Sequence, residues 1–315
     1  MTKTLFSTLV LIFALLSTNG KAATIKHVTF KSQGQTLAGN LYLPDRYRDN
    51  QKLPGVIVTG AWTTVKEQMA GTYAAEMADR GYAALTFDFR GWGQSPDTIQ
   101  YLENPKRKIE DIHAAVNYLA TRPEVDATRL GGLGICASSG YMGDATLANT
   151  HIKSLALVAP WLHNADIVKV VYGGEEGVKR LIQVSRDAKQ SSQPVILEAA
   201  SMTNDKAVMY QAPYYTETDR GLISEYDNKF NAASWEGWLT YDAIQTAEQL
   251  KKPTLLVHSE VAAIPQGAQE YARRMGSHVT ELWLDDVSQF DFYDAPGPIT
   301  AASDAVAEHF NATLK

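Results

Sequence analysis

The single cysteine carries the strongest chemical signal in the chain. Cys136 lies in the stretch RLGGLGICASSGY over residues 129–141. An apolar, strand-like run ends at Gly134-Ile135, and small residues then open a helix. A nucleophile flanked by small residues at a strand-to-helix turn is the pattern of a nucleophile elbow, where a strained backbone exposes the side chain between crowded neighbours. A thiol there faces the positive end of a helix, which is expected to lower its pKa and favour the thiolate. The N–H of Ala137 is expected to point at a developing oxyanion. A second register fits the same stretch, with Ser138 as nucleophile in CASSG. The distance from Arg129 at the strand start places Cys136, not Ser138, at the tip. The plain structural alternative is a small buried apolar cysteine.

The rest of the composition narrows the chemistry. The chain has 315 residues, a formal charge of −6, 45% hydrophobic and 20% charged residues. These are globular values, with length for a sizeable core. No dense Lys/Arg stripe appears, so neither nucleic acid nor an anionic membrane is an expected partner. One cysteine excludes an intrachain disulfide and a multi-cysteine metal site. The seven histidines show no HxH or HExxH spacing, and no Gly-rich phosphate loop or internal repeat is visible. No metal or organic cofactor is expected.

Elements that could position Cys136 alternate regularly. Thr24–Lys31 and Leu37–Leu43 alternate like half-exposed strands about a Ser-Gln-Gly-Gln turn. Strands are then expected at Pro54–Thr59, Tyr82–Phe87, Arg129–Ile135, Ile152–Val158, Pro253–His258 and Thr280–Leu284. Helices are expected at Lys66–Arg80, Ile109–Thr121, Ser139–Ala148, Gln266–Met275 and Ala301–Phe310. Such alternation implies α/β class: a mostly parallel, doubly wound sheet covered on both faces. The interval between Val158 and Pro253 breaks the rhythm and is rich in Tyr and Trp. Residues 161–245 are read as a cap insertion between core segments 23–160 and 246–315. Its aromatic residues either form their own small core or line a pocket over the carboxyl ends of the strands.

Residues 1–22 read separately. Lys3, an apolar run from Leu5 to Leu16 and a small-residue end at Ser17–Ala22 describe a secretory signal peptide. The run is short for a membrane span. A mature chain starting near Ala23, periplasmic or secreted and without stable membrane insertion, is the expectation.

The motifs together resemble the α/β-hydrolase superfamily, and within it the cysteine-nucleophile branch similar to dienelactone hydrolases, over roughly residues 25–315. Gly60-Ala61-Trp62-Thr63 falls where that family keeps a second oxyanion donor, so Trp62 joins Ala137 as a candidate. Asp88-Phe89-Arg90-Gly91-Trp92-Gly93-Gln94-Ser95 resembles its D-x-R-G-x-G-x-S loop, and Gly134-Ile135-Cys136 its elbow. The resemblance implies a small-molecule acyl substrate.

The chain also departs from that pattern. The family's acid position falls on Ala262 or Ala263, and the nearest carboxylate is Glu260. The family's catalytic histidine position is Gln289, and an amide cannot take up a proton at neutral pH. Three groups are candidates to help instead: Glu260, His163 just past a strand end, and Glu67 near the oxyanion loop. Trp92 and Trp161 are candidate pocket walls. Two functions follow. One is an exported hydrolase or acyltransferase acting on an ester, thioester or lactone through Cys136, with Gln289 orienting by hydrogen bonds. The other is a non-catalytic ligand-binding protein on the same fold.

Overall fold

The lead-in hairpin pairs β1 (Thr24–Ser32) with β2 (Gln35–Leu43) antiparallel, from Thr24 opposite Leu43 to Ser32 opposite Gln35. These coordinates come from a computed structural model that describes residues 23–315; the expected signal segment, 1–22, lies outside the described residues. The chain continues through β3 (Leu53–Thr59), α1 (Met69–Asp79), β4 (Ala83–Phe87), α2 (Pro105–Ala120), β5 (Val125–Ile135), α3 (Ser138–Ala148) and β6 (Ile152–Val158). Segment 161–245 holds α4 (Ala165–Val171), α5 (Gly174–Gln190), the short strands β7 (Ile196–Glu198), β8 (Ala200–Ser201), β9 (Met209–Tyr210) and β10 (Lys229–Asn231), and α6 (Ser234–Leu239). The core resumes with β11 (Thr254–His258), α7 (Pro265–Met275), β12 (Val279–Trp283), the one-turn α8 (Asp291–Asp294) and α9 (Pro296–Thr313).

Eight strands form one sheet in the order β1-β2-β4-β3-β5-β6-β11-β12. From β4 to β12 every neighbouring pair is parallel. The middle strands are covered on both faces, and Val56, Ile57, Val58, Leu133, Ile135, Leu157 and Val257 are fully buried. Each such side chain contributes about 1.5–3 kcal/mol on burial. The chain passes from β3 outward to β4 and then back across β3 to β5. The reversal falls between β3 and β5, and ligands of open α/β sheets bind at the carboxyl ends beside such a point.

Strand β5 starts at Val125 rather than at the expected Arg129, and α2 starts at Pro105 rather than Ile109, capped by the Asn104 side chain; two further boundaries shift for local reasons. Helix α1 begins at Met69, not Lys66, because Lys66 is held in the preceding turn: its N–H and its ammonium both donate to the Asp88 carboxylate, at 2.8 and 2.7 Å. Helix α9 begins earlier than expected, at Pro296, since a proline in a first turn has no N–H to satisfy.

The Asp88–Ser95 loop is a structural clamp. Asp88 also accepts from Gln94 N at 2.9 Å, and the Ser95 hydroxyl donates to Asp88 O at 2.6 Å. A side chain at Gly93, where φ is 49°, would sit 2.5 Å from the Asp88 carboxylate. Arg90 pairs with Asp111 at 2.9 Å and Glu110 at 2.7 Å, tying the loop to α2.

Segment 161–245 is bonded to the core at several points. Tyr214 accepts from Met69 N at 3.0 Å, Gln68 Nε2 donates to Gly221 O at 2.7 Å, and Arg220 Nη2 donates to Asp294 at 2.9 Å. Tyr226 and Thr63 share a hydroxyl hydrogen bond of 3.1 Å. Trp62 of the core packs against Phe230 and Trp238, each with ring centroids 4.9 Å away.

Candidate active site

At the end of β5 the backbone turns sharply at Cys136, whose φ is +56°. A non-glycine residue held there is strained, and it persists only when its surroundings fix it. They do: Cys136 N donates to Val158 O at 3.1 Å, and Cys136 O accepts from Ser139 N and Trp161 N, both at 3.0 Å. Crowding explains the flanking small residues, since a Cβ on Gly134 would lie 2.8 Å from Ser139 Cα. Ser138 is in the first turn of α3, buried, with its hydroxyl donating to Ile135 O at 3.1 Å. The tip of the turn is therefore Cys136.

The N–H groups of Ala137 and Trp62 and the hydroxyl of Tyr293 all act on the Cys136 sulfur and favour its ionised form. Burial acts more strongly in the other direction, assisted by the charge of Glu103, and the thiol pKa is raised. This corrects the expectation from the helix end alone. Complete enclosure outweighs the α3 N-terminus and the three donors, so the resting group is the thiol.

Gln289 lies beside this site but acts as a staple. Its Nε2 donates to Ala159 O at 2.9 Å and to the Tyr293 hydroxyl at 2.8 Å, and its Oε1 accepts from Ala263 N at 3.0 Å. One amide thus joins the ends of β6, β11 and α8. Because Tyr293 accepts from Gln289, its own proton is free to face Cys136. Burial and the proximity of the thiol push the Tyr293 pKa well up, so it stays protonated.

A cavity of about 600 Å³ opens over Cys136. Trp62, Trp161, Tyr172, Tyr215, Trp238 and Tyr293 are its main aromatic walls, and Ala262 and Ala263 stand where the resembling family keeps its acid. No Asp, Glu, Lys, Arg or His lines it among the described residues. Segment 161–245 supplies Tyr172, Val208–Ala212, Tyr215 and Trp238 to these walls.

Four expected participants are elsewhere. Glu260 is exposed and accepts from Gln269 Nε2 at 2.9 Å, because its loop turns outward before α7. His163 is buried with both nitrogens engaged: Nδ1 accepts from the Trp161 indole at 3.0 Å and Nε2 meets Trp238 O at 3.1 Å. Desolvation lowers its pKa to about 4, so it is a neutral prop behind two cavity walls. Glu67 pairs with Lys66 at 2.6 Å and lines a separate small cavity behind Tyr293. Trp92 is buried against Tyr101 and the Lys108 ammonium and does not reach the cavity, whereas Trp161 does.

Two residues at the site had gone unnoticed. Tyr293 follows Gln289 by one helical turn, a spacing that places both on one face. Glu103 is fully buried and binds the Lys108 ammonium and the Tyr141 hydroxyl, each at 2.8 Å. It thereby ties the start of α2 to α3, the helix that carries the elbow, and nothing in its local sequence signals this.

Comparison with known proteins matches this geometry to relatives. The chain is 28% identical over 294 residues to the uncharacterized protein YcjY of Escherichia coli, covering 89% of this chain and 95% of the relative. It is 31% identical over 297 residues to the uncharacterized protein PA2218 of Pseudomonas aeruginosa, covering 87% and 77%. The crystal structure of PA2218 superposes with a TM-score of 0.82 at 24% identity, covering 99% of this chain and 100% of that one. The thiohydrolase aneE of Aspergillus aculeatus is 23% identical over 190 residues, covering 58% and 57%. The family model described as serine aminopeptidase, S33, matches residues 56–286, and the chain belongs to this family of α/β hydrolases.

Proposed function

We propose that the protein is an exported acyl-group hydrolase or acyltransferase of the cysteine-nucleophile kind, similar to dienelactone hydrolases, acting on a carboxylic ester, thioester or lactone. The observation that carries this reading is the strained Cys136 with the N–H groups of Trp62 and Ala137 turned toward its sulfur on the floor of an aromatic cavity. A binding protein has no need of a positive-φ turn that holds a thiol against two backbone donors. The name of the aneE relative, a thiohydrolase, supports a thioester among the candidates.

In this reading the Cys136 sulfur attacks the carbonyl carbon, and the developing oxyanion is held by Trp62 N–H and Ala137 N–H. The S–H proton moves to the departing oxygen or sulfur through the Tyr293 hydroxyl, which gives one proton as it receives another. Gln289 orients that hydroxyl. Export rests on residues 1–22, and amino-terminal sequencing of the protein from its native host tests it: a start near Ala23 is expected, and a start at Met1 in soluble protein would refute it.

Intact-mass measurement after exposure to activated acyl esters tests the chemistry. One acyl adduct is expected on the native protein and on Ser138→Ala, and none on Cys136→Ala. Gln289 and Ala262, at the positions of the family's base and acid, favour a second reading, in which the cavity only binds its ligand. A thiol inert to every activated ester would move the assignment there.

A further inference from the structure

The cavity's walls bear on the second half of the reaction, the release of the acyl group. Among the described residues no carboxylate, imidazole or amine lines it. Four ionisable groups nearby are bound elsewhere: His163 to Trp161 and Trp238 O, Glu103 to Lys108 and Tyr141, Glu67 to Lys66, and Glu260 to Gln269; a fifth, His258, is fully buried behind the loop of Ala263 and does not reach the cavity lining. The Gln289 amide is fully hydrogen-bonded and has no basic atom.

A missing base does not burden the two half-reactions equally. A thiol ionises near a pH of about 8.5 in an ordinary setting and is a good nucleophile. Water ionises only near about 15.7, so its attack on a thioester needs a group to receive its proton as the new bond forms. A neutral amine needs none. Its lone pair attacks first, and its surplus proton leaves after the C–N bond exists. Apolar surroundings also favour a neutral amine over an ammonium ion, and the walls here are mostly aromatic and aliphatic.

Resting on the acyl-cysteine reading, we infer that the acyl group on Cys136 passes to a neutral, apolar amine in preference to water, giving an amide. The amine nitrogen bonds to the thioester carbonyl carbon, and the oxyanion sits against Trp62 N–H and Ala137 N–H. The C–S bond then breaks. One N–H proton travels to the sulfur through the Tyr293 hydroxyl, which restores the Cys136 thiol. Burial holds two further walls, Tyr172 and Tyr215, protonated as well. The tyrosines can therefore pass a proton along but cannot strip one from water.

The full chain is acylated with a 4-nitrophenyl ester, freed of excess donor, and followed by intact mass near neutral pH. Samples are kept in buffer alone, with millimolar benzylamine, or with glycine at the same concentration. Benzylamine should speed loss of the acyl group by at least about 100-fold, the lower end of what a proton-transfer group contributes, with the N-benzylamide as product. Glycine, which carries a carboxylate into an uncharged cavity, should give little amide. Gln289→His, which supplies a base, should raise release in buffer and shrink the share going to benzylamine. Equal release with and without benzylamine, yielding only the free acid, would overturn the inference while leaving the acyl-cysteine reading intact. Failure to form any Cys136 adduct would overturn both.

Discussion

The Gln289 side-chain nitrogen donates to the Tyr293 hydroxyl at 2.8 Å, which leaves the tyrosine proton for the Cys136 sulfur on its other side. With one of its two lone pairs occupied by the amide, Tyr293 can present its proton to Cys136 and still accept one. The position that the resembling family gives to an imidazole thus carries an orienting group, and the proton carrier sits one helical turn further on.

Tyr293→Phe should therefore slow acylation of Cys136 by about 100-fold, the lower end of the range for a lost proton-transfer group. The ring would keep its packing against Tyr214 and Phe290, so the melting temperature should change little. Pre-steady-state acylation by a 4-nitrophenyl ester measures the first effect and thermal unfolding the second. A full rate in the variant would remove Tyr293 from the mechanism.

The raised thiol pKa predicts sluggish alkylation. Iodoacetamide should modify Cys136 slowly near neutral pH and progressively faster as the pH rises beyond the ordinary thiol value. The rate–pH profile of carbamidomethylation, read by mass, checks this. A rate already flat at neutral pH would show that the α3 N-terminus and the three donors outweigh burial.

Glu103→Gln should be among the most destabilising single polar substitutions in the core. It leaves the Lys108 ammonium without its carboxylate in a buried site, and breaking such a pair costs about 3–5 kcal/mol. Urea unfolding gives the number. The double variant Glu103→Gln, Lys108→Met should recover part of the loss, because no charge is then stranded.

Acid should weaken the fold through two histidines. Burial lowers His163 and His258 to about 4, from an ordinary 6.5. On acidification the unfolded chain therefore takes up these protons first. Their stabilising contribution is complete above about 6.5 and is lost as the pH falls toward 4, on the order of 3 kcal/mol for each histidine. Replacing His163 with Gln should flatten the stability–pH curve across that window, as measured by denaturant unfolding at several pH values.

What the sequence disclosed was what local physics controls. The elbow was legible because its strand, its small residues and its helix are consecutive, and the parallel sheet was legible because short apolar runs alternated with amphipathic segments. Misreadings share a different origin. The Cys136 pKa was inferred from the helix that follows it, yet is set by walls from residues distant in sequence. His163 lies just past a strand end in sequence, but the carbonyl that engages it belongs to the distant Trp238. Glu260 is close to the acid position in sequence, but its side chain turns to Gln269. Glu103 precedes a helix and shows its importance only when Lys108, Tyr141 and Thr63 meet around it. Tyr293 differs from these, since its four-residue spacing from Gln289 is a local sequence feature.

The bonds that tie residues 161–245 to the core have a consequence for engineering. Tyr214, Gly221, Tyr226 and Arg220 grip the start of α1, the loop that carries Trp62, and the helix that carries Tyr293. Segment 161–245 therefore cannot be exchanged between homologues as a cassette that merely changes the shape of the chamber. A chimera that imports a foreign segment would slacken the loop and the tyrosine together unless Thr63, Gln68 and Asp294 were matched to it. A change of specificity is thus expected from replacing individual wall residues within this frame.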